Sequence, residues 1–136
     1  MLGKPNRPDF HTLTPYLMVV EVEPVVDFTK AAFGATEHFR TTGARGGLHV
    51  ELKIGDSIIM IGGGNNTVSE PIVSAFFLYV DDVDAVYQSA INAGANAMLP
   101  PEDGMFAEER GAGVTDPFGN SWFFGKYGPQ SKHFEG

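Results

Sequence analysis

The sequence contains no cysteine, so disulfides, zinc–thiolate centres, iron–sulfur clusters and thiol nucleophiles are all excluded. Basic residues are also few, because 9 lysines and arginines stand against 17 acidic residues and the formal net charge is −8. The basic residues are scattered, whereas a protein that binds a phosphate backbone needs a basic face. We therefore expect no nucleic-acid partner.

Long apolar runs are missing as well. No stretch approaches the roughly 20 apolar residues that a membrane-spanning helix needs. The segment Met1–Phe10 is polar and contains prolines, so it does not have the pattern of a secretory signal. These absences lead us to expect a cytoplasmic protein with no membrane partner.

What the chain does have is an ordinary globular composition. It is 136 residues long, with 43% hydrophobic and 12% aromatic residues, which is enough for a hydrophobic core. We predict a single domain over residues 1–136. The 17 glycines and 9 prolines divide this domain into short segments.

The first half of the chain predicts a strand, a helix and three further strands. The helix begins at Pro24, a residue suited to a first helical turn, and ends at Gly34. In LHVELKI, apolar and polar residues alternate, as in a strand with one buried face. The four predicted strands are Thr12–Val20, Thr36–Arg40, Leu48–Ile54 and Ser57–Ile61.

The second half repeats this order. A shift of 60 residues places Val20 on Val80 and Gly34 on Gly94. We predict an α+β fold of two βαβββ modules that form a curved, mostly antiparallel sheet with the helices on its convex side. Module 1 covers about residues 12–61, a linker 62–72, module 2 about 73–127 and a tail 128–136. The predicted segments of the second half are a strand at Ser74–Val80, a helix at Asp81–Ala93, a strand at Asn96–Leu99, a loop at Pro100–Arg110, and strands at Gly111–Thr115 and Ser121–Tyr127.

The order of these segments and several short strings together resemble the vicinal oxygen chelate superfamily, which holds glyoxalase I, extradiol dioxygenases and bleomycin-resistance proteins. The strings are TPYLMV, AFGA, HVELKIGDSIIMI, LYVDDVDAV, AGA and DPFGNSW. They look most like the PhnB-like branch, and the resemblance covers about residues 12 to 127.

This resemblance implies a divalent metal between the two modules in the enzymes of the superfamily, held by side chains on the first and last strand of each module. The corresponding positions here are Thr14, Met60, Ala75 and Phe123. None of them is a good ligand for a hard divalent cation. We therefore expect a metal-free member with no cofactor.

The predicted hairpin around Gly55 fixes which side chains share a face. A two-residue turn pairs Glu51 with Met60 and places His49 on the same face, whereas the opposite face is aliphatic. Strand alternation then adds aromatic residues and a methionine to the concave face. We expect the ligand to be contacted there by Tyr16, Met18, His49, Glu51, Met60, Phe77, Tyr79, Phe123 and Tyr127, and from the loop at its mouth by Phe106 and Arg110.

We expect a homodimer that binds a small, partly aromatic organic molecule, and the resemblance to resistance proteins implies that the protein sequesters this molecule. An alternative is a glyoxalase-like lyase or isomerase that uses His49 and Glu51 as a general acid/base pair, with or without a divalent metal. A third possibility is a structural protein that binds no ligand, or a subunit that binds a protein partner. We assign His38 and His133 to the surface, and we expect Trp122 and Phe124 to face the helices.

Overall fold

The computed structural model describes residues 5–43, 46–64 and 70–136. Their order is a strand, a helix and three strands, twice over, which confirms the predicted pair of βαβββ modules and the α+β class. The elements are β1 (Tyr16–Val19), α1 (Val22–Phe33), β2 (Thr36–Thr42), β3 (Leu48–Ile54), β4 (Ser57–Gly63), β5 (Ala75–Tyr79), α2 (Val83–Asn92), β6 (Asn96–Phe106), β7 (Glu109–Thr115) and β8 (Ser121–Gly125).

The strands form two hydrogen-bonded sheets of four with the same topology. One has the order β1-β4-β3-β2 and the other the order β5-β8-β7-β6. In each sheet the first strand of the module pairs in parallel with the last, and the remaining pairs are antiparallel. The chain divides into two compact units: unit 1 extends to Lys30 and includes Gly34–Ile72, and unit 2 comprises Ala31–Phe33 and Val73–Gly136.

The core of unit 1 lies under one face of its sheet. The hairpin pairs Glu51 with Met60 through a two-residue turn, as predicted, so the intervening side chains alternate between the two faces. Val50, Leu52 and Ile61 are completely buried on the core side. This confirms the aliphatic face read from the sequence.

The core of unit 2 is built around Trp122 and Phe124, which are completely buried. The ring of Phe33, at the end of α1, lies 4.8 Å from the Trp122 ring and 5.7 Å from the Phe124 ring between centroids. The indole nitrogen of Trp122 donates a hydrogen bond of 2.9 Å to the buried carboxylate of Asp116. The prediction that these two aromatic residues face the helices is confirmed.

Several predicted boundaries were wrong. Strand β1 begins at Tyr16 rather than Thr12, because Pro15 lacks the N–H that would extend the ladder and contributes only its carbonyl, which accepts a hydrogen bond from Met60. Helix α1 begins at Val22, two residues before Pro24. The predicted linker starts too early, since β4 continues through Gly63; residues 65–69 of that linker lie outside the described part of the chain.

The largest error is the predicted loop Pro100–Arg110. Strand β6 continues through its two prolines to Phe106, with several shifts of register. Proline is tolerated there because β6 is the outermost strand of its sheet, where its outer edge needs no partner. The loop shrinks to the turn residues Ala107 and Glu108, with φ of 46° and 65°, and β7 begins at Glu109.

In the described ranges, neither helix has the length and apolar character that would let it span a membrane.

Candidate functional site

Each sheet presents a distinctive set of side chains on the face opposite its core. In unit 1 these are Arg7, Tyr16, His49 and Glu51, which we call the polar cluster. In unit 2 they are four aromatic side chains, which we call the ring cluster. Its members are Phe77, Tyr79, Phe106 and Phe123.

The polar cluster is organised around Glu51, whose side chain is 2% exposed. Nη2 of Arg7 donates to Oε1 of Glu51 at 2.5 Å, and Nε2 of His49 lies 3.0 Å from Oε2. On the other side of the imidazole, the hydroxyl of Tyr16 lies 3.5 Å from Nδ1. Both carboxylate oxygens of Glu51 are therefore engaged, and His49 is held between an acid and a phenol.

This arrangement sets the charge of the carboxylate. Burial pushes the pKa of Glu51 upward, but the hydrogen bonds from His49 and Arg7 outweigh it, so that this pKa lies below its usual value. With Glu51 ionised, His49 donates from Nε2 to the carboxylate, and its Nδ1 faces the Tyr16 hydroxyl. The cluster therefore contains an imidazole whose orientation is fixed on both sides.

Arg7 was missed in the sequence. It lies in the segment before β1, where no periodicity assigns its side chain a direction, and its guanidinium carbon is 4.3 Å from the Phe10 ring centroid and 5.7 Å from that of Phe39. The one available signal was indirect. A carboxylate that is buried on a strand face needs a partner that compensates its charge. The position of Glu51 on such a face therefore implied a nearby cation.

The ring cluster forms a continuous contact set. The Phe77 ring lies 5.2 Å from that of Tyr79 and 5.3 Å from that of Phe106, and the Phe106 ring lies 5.9 Å from that of Phe123. All three contacts are edge-to-face, the geometry that aromatic pairs prefer. Phe77 remains 42% exposed and Tyr79 65% exposed.

Two glycines in the central strands, β7 and β8, leave room for two of these rings. A Cβ atom on Gly125 would lie 2.7 Å from Cζ of Phe77, and one on Gly111 would lie 2.5 Å from Cδ2 of Phe106. Because neither glycine has a side chain, both rings lie directly over the backbone of the sheet. The structure thus brings together four of the predicted ligand residues, including Phe106 from the supposed loop.

A buried glutamate in unit 2 was also missed in the sequence. Glu109, placed in a loop by the sequence analysis, is the first residue of β7 and is 1% exposed. The hydroxyl of Ser131 donates to its Oε2 at 2.6 Å, and Nε2 of His133 lies 3.9 Å from the same oxygen. His133 is half-exposed, so its assignment to the surface holds only in part: it also faces this carboxylate and the ring of Tyr127, 5.5 Å away.

Arg110 does not join the ring cluster. Alternation along β7 directs it away from Glu109, and its guanidinium instead makes two hydrogen bonds of 2.8 Å to Asp84 of α2 and one of 3.0 Å to Asp103. The hydrogen bond from Arg110 lowers the pKa of Asp84. Arg110 is thus held by Asp84 and Asp103 rather than by the ring cluster, and its contact with a ligand stays a prediction.

The remaining predicted residues lie at the margins of the two clusters. Met60 is half-buried opposite Glu51, and Met18 is half-buried and bridged to Ile72. Tyr127 lies beyond the end of β8, where its hydroxyl accepts a hydrogen bond from the backbone N–H of Glu135.

The positions that the resemblance assigns to metal ligands do not fit a divalent cation. They hold a hydroxyl, a thioether, a methyl group and a phenyl ring, from Thr14, Met60, Ala75 and Phe123. Within residues 5–43, 46–64 and 70–136, no three His, Asp or Glu side chains are grouped so that they could hold a metal ion. The imidazole and carboxylate of the polar cluster already bind each other and Arg7.

A family model described as the Glyoxalase/Bleomycin resistance protein/Dioxygenase superfamily matches residues 10–124. In sequence, the chain is 35% identical over 127 residues to the uncharacterized protein Rv0887c of Mycobacterium tuberculosis, covering 84% of this chain and 73% of the relative.

Solved structures show the same fold. The product of Arabidopsis thaliana gene At5g48480 is 26% identical with a TM-score of 0.70, covering 86% of this chain and 99% of that one. TioX from Micromonospora sp. ML1 is 23% identical with a TM-score of 0.65, covering 84% of this chain and 98% of that one.

Proposed function

The chain belongs to the glyoxalase/bleomycin resistance protein/dioxygenase superfamily, and from this premise we propose that it binds a small, partly aromatic organic molecule at the ring cluster without a metal. The observation that carries the proposal is the seating of Phe77 and Phe106 on strand glycines. Rings held this way keep a face or edge open to a ligand, and Phe77 and Tyr79 are both exposed. Such a surface binds flat molecules by stacking and apolar burial.

The role of such binding follows from the family. Its description includes bleomycin resistance proteins, and a protein that binds a toxic compound tightly lowers the free concentration of that compound by mass action. We propose the same role, sequestration, for this chain, in the PhnB-like branch and as a cytoplasmic homodimer. Light scattering at micromolar protein tests the dimer, and a mass equal to one chain would contradict it.

The experiment uses acridine at pH 8, an uncharged planar aromatic molecule, as the probe. Acridine is expected to raise the melting temperature by mass action and to bind measurably in calorimetry. Phe123→Ala removes one ring of the cluster and should weaken acridine binding about fivefold or more, given the usual worth of an aromatic pair.

Glu51→Ala is the matched comparison, since Glu51 belongs to the polar cluster of the other unit, and it should weaken acridine binding less than Phe123→Ala does. Equal affinities for Phe123→Ala and the unchanged protein would reject the ring cluster as the binding surface. The absence of any acridine binding would count against the whole proposal.

A second candidate function is a proton-transfer reaction at the polar cluster, favoured by the chain of contacts from Tyr16 through His49 to Glu51. In this reaction His49 would take a proton from a substrate carbon at Nδ1 and return it to the neighbouring atom, which is the balance of an isomerisation. Glu51 orients the imidazole, and Tyr16, which is 47% exposed, donates a hydrogen bond to a substrate oxygen.

This candidate is tested with methylglyoxal and glutathione, whose adduct is isomerised by proton transfer. Activity that falls at least a hundredfold in His49→Gln and about tenfold in Tyr16→Phe would support it. Unchanged turnover in His49→Gln would exclude the cluster as the catalyst. Phe123→Ala serves as the control, because it lies outside the polar cluster.

A further inference from the structure

The carboxylate of Glu109 lies on the ring side of the sheet in unit 2. Residues two apart on a strand share a face, so Glu109 points to the same side as Gly111, over which Phe106 lies. It is also adjacent to Phe77. The position that a Cβ atom would take on Gly125 is 3.3 Å from Oε1 of Glu109 and 2.7 Å from Cζ of Phe77.

The two oxygens of Glu109 have different surroundings. Oε2 accepts the hydrogen bond from Ser131 and faces His133. Oε1 borders Gly125 on the side where the Phe77 ring lies. The neutral hydroxyl of Ser131 solvates the carboxylate but does not cancel its charge.

This carboxylate also lacks a permanent cation. In the described part of the chain, no lysine or arginine nitrogen lies within 4 Å of Glu109, whereas Glu51 in unit 1 is paired with Arg7. A carboxylate in such surroundings acts strongly on a nearby cation, because a low dielectric constant weakens Coulombic interactions less than water does.

We infer that the ring cluster and Glu109 together select organic cations, namely flat aromatic molecules with a fixed positive charge such as a quaternary ring nitrogen. This rests on the proposed function, since it names the class of ligand for the same rings. Aromatic faces attract such cations through their quadrupole, and a carboxylate beside the rings adds Coulombic attraction. The net charge of −8 acts in the same direction at longer range.

The test compares 10-methylacridinium with acridine, two molecules of the same shape that differ in charge at pH 8. Calorimetry with 0.15 M salt, which screens distant surface charges, gives the ratio of the two affinities. We expect the unaltered protein to bind the cation about tenfold more tightly than acridine. A ratio near one, with acridine bound, would overturn the inference while leaving the proposed function in place.

Glu109→Gln removes the charge and keeps an oxygen that accepts the hydrogen bond from Ser131. In this variant the ratio should fall to about twofold or less through a loss of cation affinity, and continued binding of acridine shows that the ring cluster is folded. Glu108→Gln is the matched control, because it removes one charge from the exposed neighbouring residue, and it should retain the full ratio. An equal fall in both variants would show that net charge alone, rather than Glu109, attracts the cation.

Discussion

Each unit buries a glutamate carboxylate on the third strand of its sheet, but the two carboxylates have different partners. Glu51 and Glu109 both lie on the third strand of sheets that have the same strand order. A segment before the first strand covers Glu51 with the cation of Arg7, and a segment after the last strand covers Glu109 with the hydroxyl of Ser131. One sheet therefore neutralises its buried charge within the chain, and the other leaves it available to a ligand.

The side chains around the two carboxylates also differ in polarity. In unit 1, Tyr16 on the first strand pairs with Met60 on the last, and in unit 2, Phe77 on the first strand pairs with Phe123 on the last. The first pair lies beside an imidazole and a guanidinium, whereas the second lies among further rings. The same strand order thus carries a polar, hydrogen-bonded cluster in one unit and a cluster of aromatic rings in the other.

The largest expected effect comes from removing the Arg7 cation that pairs with Glu51. Arg7→Ala leaves Glu51 buried without its cation and should lower the free energy of unfolding by about 2 kcal/mol, less than a fully buried pair because Arg7 is half-exposed. Ser131→Ala, its counterpart in unit 2, removes a hydroxyl that donates to Glu109 and accepts from the backbone N–H of Gly128, but it removes no charge and should cost about 1 kcal/mol. Urea titrations of both variants measure the difference, and a larger loss in Ser131→Ala would break the comparison.

The second prediction concerns pH. Because the folded pKa of Glu51 is depressed, its ionisation stabilises the fold above the unfolded pKa, and this contribution is lost as pH falls through the folded value. The stability difference between the unaltered protein and Glu51→Gln should therefore be largest near neutral pH and shrink on acidification below about pH 4. Denaturant titrations from pH 7 to pH 3 give this profile. A difference that grows on acidification would show that the pKa is raised instead.

The smallest expected effect sharpens the contrast between the two faces. Gly125→Ala places a methyl group against Phe77 and should push that ring aside, which weakens acridine binding about threefold to tenfold. Gly62→Ala places a methyl group against Tyr16 in unit 1 in the same way. It should leave acridine affinity unchanged, so equal losses in the two variants would contradict a binding surface confined to the ring cluster.

Local pattern predicted much of the fold. The hairpin register between β3 and β4 followed from strict alternation and a two-residue turn, and it correctly placed His49, Glu51 and Met60 on one face. Alternation also identified Phe77 and Phe123 as sharing a face with Tyr79. These are short-range consequences of strand geometry, which a sequence displays directly.

The covering residues could not be predicted in this way. Arg7 and Ser131 lie in irregular segments, so the direction of their side chains depends on where the chain folds back. Glu109 was misplaced for a related reason: the prolines of β6 suggested a loop, although an outer strand tolerates them. Contacts between segments far apart along the chain depend on the tertiary fold, so local sequence patterns could not predict them.

The two-residue turn between β6 and β7 has a consequence for engineering. Ala107 and Glu108 both adopt positive φ there, a conformation that costs an L-residue free energy and that asparagine and glycine accept readily. The carbonyl of Ala107 also accepts a hydrogen bond from the backbone N–H of Lys132, which links the segment after β8 to this hairpin. An Asn–Gly pair at these two positions would relieve the backbone strain of the turn and raise its thermal stability. The turn would then be a suitable place to insert a reporter, since neither position belongs to the ring cluster.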